Sequence, residues 1–110
     1  MTERFLTDFE LIILLAILRV GKDAYGVPIA KEIEETGGRV VLLSAIYTAL
    51  DRLEQNGLVS TLIGDPTPER GGRAKKFFTV TPKGLKAVRQ TQKSFVALWT
   101  GLRQLKGGTA

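Results

Sequence analysis

The chain contains no cysteine and no histidine. Without cysteine there are no disulfides, no thiolate nucleophile and no zinc–thiolate site. Without histidine the commonest general base and metal-ligating imidazole is missing. Eleven carboxylates remain, but most are interspersed with helical lysines and arginines, as solvated charge is, rather than gathered into an acid–base pair. The composition argues against an enzyme and implies no cofactor or metal. A long apolar run is lacking too. The longest, Leu11–Leu18, is far short of the roughly 18 residues that a membrane span needs, and it has no cleavable flank of a secretion signal. The expectation is a cytoplasmic protein without a membrane partner.

Acidic residues are missing from a whole stretch of the chain. Residues 70–110 carry ten basic side chains and no acidic one, whereas residues 1–69 carry six basic and eleven acidic. The net charge of +5 thus hides a balance of −5 before residue 70 and +10 from residue 70 onward. Such a split points to a polyanion, nucleic acid before membrane surface, with a solvated basic helix as the plain alternative. The 110 residues, 44% of them hydrophobic, suffice for one domain with a modest core.

What is present reads as helices, then a hairpin, then a helix. Thr7-Asp8-Phe9-Glu10 forms a capping box, and the apolar run behind it predicts a buried spine ended by Gly21. Ala24-Tyr25-Gly26-Val27-Pro28 starts a second helix that Gly37-Gly38 stops. Ser44 is the N-cap candidate of a third, Ser44–Asn56. Its Ile46, Ala49, Leu50 and Leu53 share one face, and Ser44, Tyr47, Thr48, Asp51, Arg52 and Gln55 share the other. Leu58–Ile63 and Lys76–Thr81 read as strands around a turn-rich tip, Gly64–Arg73. Thr81-Pro82 restarts a helix reaching about Lys106, with Val88, Phe95 and Leu102 spaced by seven, as are Leu98 and Leu105, and with Trp99 adjoining. The fold class is mainly α with a small β-hairpin. The predicted organisation is a winged helix-turn-helix over residues 1–81, a dimerisation helix over 82–106 and a tail over 107–110.

A helix about 10–12 Å across fits the major groove of double-stranded DNA, with its N-terminal residues aimed at base edges. Here those are Ser44, Ala45, Tyr47 and Thr48, with Arg52 behind them. Arg52 is offset by Asp51 and Glu54, so this helix offers specificity rather than attraction. Attraction falls to the wing, where Arg70, Arg73, Lys75 and Lys76 accompany glycines, Gly71 among them, that let backbone approach phosphate. For Tyr47, DNA contact and ring packing both remain open. Tyr25 is expected at the corner between the first two helices.

With these elements in order, the sequence resembles the short-tailed branch of the PadR family of transcription regulators, from about Thr7 to Leu105. The resemblance rests on Ala24-Tyr25-Gly26, the run Ala45–Glu54, Asn56-Gly57-Leu58-Val59, Gly71–Phe78 and Val80-Thr81-Pro82-Lys83-Gly84. It implies a homodimer joined through the last and N-terminal helices on a palindromic operator. It also implies repression relieved when a small molecule, often aromatic, fills a pocket near the dimer interface. Two departures stand out. Phe77-Phe78 replaces an aromatic pair that often includes tyrosine, and the single tryptophan, Trp99, comes a turn later than the family's pocket tryptophan, with Phe95 nearer. Val88, Phe95, Leu98, Trp99 and Leu102 are therefore candidates for either ligand pocket or dimer seam. The alternative function is a winged-helix protein-interaction module, against which the basic wing speaks. A third reading, membrane-surface binding through Lys86, Arg89 and Lys93, fits a wet outer face of a dimer helix equally well.

Overall fold

The structure, a computed structural model, describes residues 5–64 and 75–105. The element order is α1 (Asp8–Val20), a 3-10 turn (Gly21–Asp23), α2 (Gly26–Gly37), α3 (Leu43–Gln55), β1 (Val59–Ile63), β2 (Lys76–Val80), α4 (Pro82–Trp99) and a second 3-10 turn (Arg103–Leu105). This is a winged helix, mainly α with one hairpin, as expected.

Local chemistry sets most of the boundaries. The Glu10 amide donates to the Thr7 hydroxyl at 3.1 Å and the Thr7 amide to the Glu10 carboxylate at 2.8 Å, completing the capping box. Pro28 sits in the first turn of α2, where its missing amide hydrogen costs nothing, and Gly38 closes that helix in the left-handed conformation (φ 71°). After α3, Gly57 takes φ 76°. Its amide bonds to the Glu54 carbonyl at 3.0 Å and the next amide, of Leu58, to the Leu53 carbonyl at 2.9 Å, a Schellman stop.

Two boundaries differ from the sequence reading by more than one residue. Leu42, not Ser44, is the N-cap of α3, because the Ile46 amide already bonds back to the Leu42 carbonyl at 3.1 Å. The fully buried Ile46 fixes that turn, so packing rather than a capping hydroxyl decides where α3 begins. At the other end of the chain, α4 stops at Trp99 instead of near Lys106. Thr100 leaves helical backbone, its hydroxyl donates to the Val96 carbonyl at 2.6 Å, and Gly101 adopts φ 84°. Leu102 and Leu105 therefore lie beyond the helix whose heptad spacing they continue.

The core joins Ile13, Leu14 and Ile17 of α1 to Ile29 and Ile33 of α2, Ile46, Leu50 and Leu53 of α3, and Val59, Phe78 and Val80 of the hairpin. α1 is a spine on one side only. Its Leu15 and Leu18 are more than 40% exposed, so the helix that reads as apolar all round keeps an uncovered flank. The hairpin is antiparallel, pairing Val59 with Val80 through to Ile63 with Lys76. It docks through the Phe78 amide, which donates to the Ala24 carbonyl at 2.8 Å. At the base of α4, Thr81 accepts from the Gly84 amide (3.0 Å) and donates to the Gly57 carbonyl (2.7 Å). A Cβ at Gly84 would strike the Leu58 carbonyl, so that helix–strand contact requires glycine.

Candidate nucleic-acid interface

The face of α3 opposite Ile46, Leu50 and Leu53 has no role in the core. Ser44, Thr48, Asp51, Arg52 and Gln55 are exposed on it, and Ala45 is half-buried at its edge. The Thr48 hydroxyl donates to the Ser44 carbonyl at 3.0 Å, which orients its lone pairs outward as acceptors. Tyr47 leaves the helix sideways. Its ring and hydroxyl lie over Gly26 of α2, where a Cβ would overlap them, yet 40% of the residue stays exposed. The ring is thus packed at one edge and accessible at the other. The two halves of the helix-turn-helix meet at Gly26 because no side chain stands there.

The hairpin is clasped to α3 by Glu54. One carboxylate oxygen accepts from the Thr61 hydroxyl of β1 at 3.0 Å, and the other lies 3.4 Å from the Lys76 ammonium of β2. Lys76 also lies 5.7 Å from the centroid of the Phe78 ring. Its neighbour Lys75 places its ammonium 4.6 Å from the centroid of the Tyr25 ring, which in turn meets the Phe77 ring edge-on at 5.8 Å. Tyr25, on the link between α1 and α2, therefore also reaches the root of the wing. The short Asp23–Ala24–Tyr25 link is drawn to β2 by the backbone bond from Phe78, and this turns the ring toward the hairpin.

The structure thus brings Ser44, Ala45, Tyr47, Thr48 and Arg52 onto one helix and sets Lys75 and Lys76 at the hairpin root. Arg70, Gly71 and Arg73 lie outside the described residues. Glu54, Thr61 and the Tyr25–Phe77 contact are the parts that sequence reasoning missed. Glu54 was visible only as a charge offsetting Arg52, and nothing local in the sequence ties it to a threonine and a lysine on separate strands.

A second feature lies on the far side of α1. Its half-buried Leu11 and exposed Leu15 face Val88, Phe95, Val96 and Trp99 of α4 across a groove of about 560 Å³. Val88, Phe95 and Trp99 line it as candidates named from sequence. Leu98, 75% exposed, and Leu102, past the end of α4, are not among its lining residues. Among the described residues no cluster of carboxylates could hold a metal ion, and no helix is long and apolar enough to cross a membrane.

The model of the transcriptional regulator PadR-like family matches residues 14–90, which run from the core of α1 into α4. The chain belongs to that family. As a PadR-like protein it is a transcriptional regulator and not an enzyme. No curated protein matches it. Among solved structures it is similar to a transcriptional regulator from Clostridium thermocellum (26% identity, 81% of this chain and 83% of that one, TM-score 0.68). It is likewise similar to a PadR-like transcription factor from Bacteroides fragilis (25% identity, 83% and 82%, TM-score 0.69). H. salinarum RosR is a third such structure (27% identity, 92% and 84%, TM-score 0.67).

Proposed function

We propose that this PadR-like regulator binds double-stranded DNA sequence-specifically as a homodimer and represses transcription from a palindromic operator. The observation that carries this reading is the outer face of α3. It is free of core duties, bears hydroxyl and amide groups, and is nearly charge-neutral, as a surface that reads base edges should be. Thr48 and Ser44 meet bases, Ala45 offers a methyl to thymine, and Tyr47 and Arg52 reach the flanking phosphates. Arg70, Arg73 and Lys75 supply attraction that does not depend on sequence, with Gly71 allowing close approach to the backbone. The uncovered apolar residues of α4, Phe95, Val96, Leu98 and Trp99, support dimerisation through this helix and α1. The groove behind them suits a small aromatic or hydrophobic ligand that releases the operator, since such sites are mostly apolar and several hundred Å³ in volume.

Selection from a pool of random duplexes by the purified protein tests the reading. A two-fold symmetric motif is expected, with half-sites about one helical turn apart. Recovery of unenriched sequence would reject it. A second reading, a protein-interaction module, is favoured by the exposed Leu62 and Ile63 of β1. It predicts that replacing both with serine abolishes a protein contact and leaves DNA affinity untouched.

A further inference from the structure

The basic residues of the wing root are not equivalent. Lys75 lies over an aromatic ring, whereas Lys76 faces the Glu54 carboxylate at 3.4 Å. That carboxylate is itself anchored, because its other oxygen accepts from the Thr61 hydroxyl at 3.0 Å. Lys76 pairs with Ile63 at the end of the strand ladder, one hydrogen bond (Gly64 amide to Lys75 carbonyl, 2.7 Å) before the tip, so the ion pair stands near where the wing leaves the body of the protein. Glu54 belongs to the helix whose N-terminal turns carry Ser44 and Thr48.

From this arrangement we infer that Glu54 is a specificity-determining residue which holds Lys76 away from the DNA backbone and thereby limits sequence-independent affinity. The inference rests on the DNA-binding reading above. Its physical basis is charge balance rather than the strength of the pair. Both partners are about 40% exposed, and an exposed ion pair contributes little stability, roughly 0–1 kcal/mol. Yet moving the Lys76 ammonium onto a phosphate would leave an anchored carboxylate unpaired beside a polyanion, so the exchange gains little. With Glu54 neutralised, the same ammonium becomes a phosphate contact and releases counterions. Non-specific affinity comes mostly from phosphate contacts and specific affinity draws also on base edges, so Glu54 widens the gap between the two.

The test is a double-mutant cycle on the full chain, read as the salt slope of binding to a duplex that lacks the operator. Glu54→Gln keeps an acceptor for Thr61 and removes the charge. It should steepen the slope by about 0.9 and raise affinity roughly fivefold to tenfold near 0.1 M salt. Lys76→Ala in the wild-type background should leave the slope unchanged, whereas in the Glu54→Gln background it should lower the slope by about 0.9. Specific affinity should rise less than non-specific affinity in Glu54→Gln, so that operator discrimination falls. A loss of about 0.9 from Lys76→Ala with Glu54 intact would overturn the inference, because Lys76 would then already be on phosphate. An unchanged slope in Glu54→Gln would overturn it as well. Wild-type protein with no salt-dependent affinity for any duplex would instead defeat the DNA-binding reading, and this inference with it.

Discussion

Gly26 and Tyr47 show how a single missing side chain sets α2 against α3. The Tyr47 ring lies where a Cβ on Gly26 would stand, so Gly26→Ala forces either the ring or α2 to move. Overpacking of this kind costs about 1–3 kcal/mol, and Tyr47→Ala should recover part of it because the obstruction is gone. Urea denaturation of the two single variants and the double variant measures that coupling; additive losses would mean that the ring is not held there. Glu32 makes a second residue-scale prediction. Its pKa is lowered, first by the hydrogen bond from Thr36 and then by the bond from Arg19 of α1, which spans 2.7 Å. A carboxylate with a lowered folded-state pKa adds stability above its ordinary value of 4.5, and that stability is lost as pH falls through the folded value. Thermal melts of wild type and Glu32→Gln should therefore differ at pH 7 and converge in acid. A difference that does not shrink as the pH falls below 4.5 would contradict the assignment.

At the scale of elements, boundaries fixed by local chemistry were legible in sequence and boundaries fixed by packing were not. Thr7 with Glu10, Thr81 with Pro82, and Gly57 each satisfy orphan backbone groups within a few residues, so they announce helix ends in any context. Leu42 announces nothing, and α3 starts there because Ile46 is driven fully into the core. The reach of α4 was overread for a related reason. Heptad spacing carries on through Leu102, but Thr100 and Gly101 break the backbone first. The clasp of α3 to the hairpin joins residues that no periodicity links, and it became visible only once β1 and β2 were docked. Leu50, fully buried at the centre of α3, gives the element's stability a direct measure. Leu50→Ala should cost about 2–5 kcal/mol in chemical denaturation, and a loss below 1 kcal/mol would mean that α3 is not held by this core.

The whole molecule divides its work among three surfaces. The face of α3 is nearly neutral, the positive charge gathers from residue 70 onward, and one set of uncovered apolar residues lies on α4 and the flank of α1. This division fits two copies joined through α4 and placing two α3 helices on one side of a duplex. Phe95→Asp puts a charge in the groove at a position already 52% exposed, so the monomer fold should survive while dimerisation is lost. Sedimentation should then report a monomer with wild-type helicity and at least a tenfold loss of operator affinity. A dimer of unchanged stability would move the interface elsewhere.

Thr48 is where base reading by α3 is put to the sharpest test. Affinities of wild type and Thr48→Ala should be measured on the selected operator and on every single-base variant of it, at one salt concentration. Thr48→Ala should alter the preference at one position in each half-site, by about 1–3 kcal/mol, with affinity for unrelated duplex unchanged. An identical preference profile for the two proteins, at every position, would contradict it.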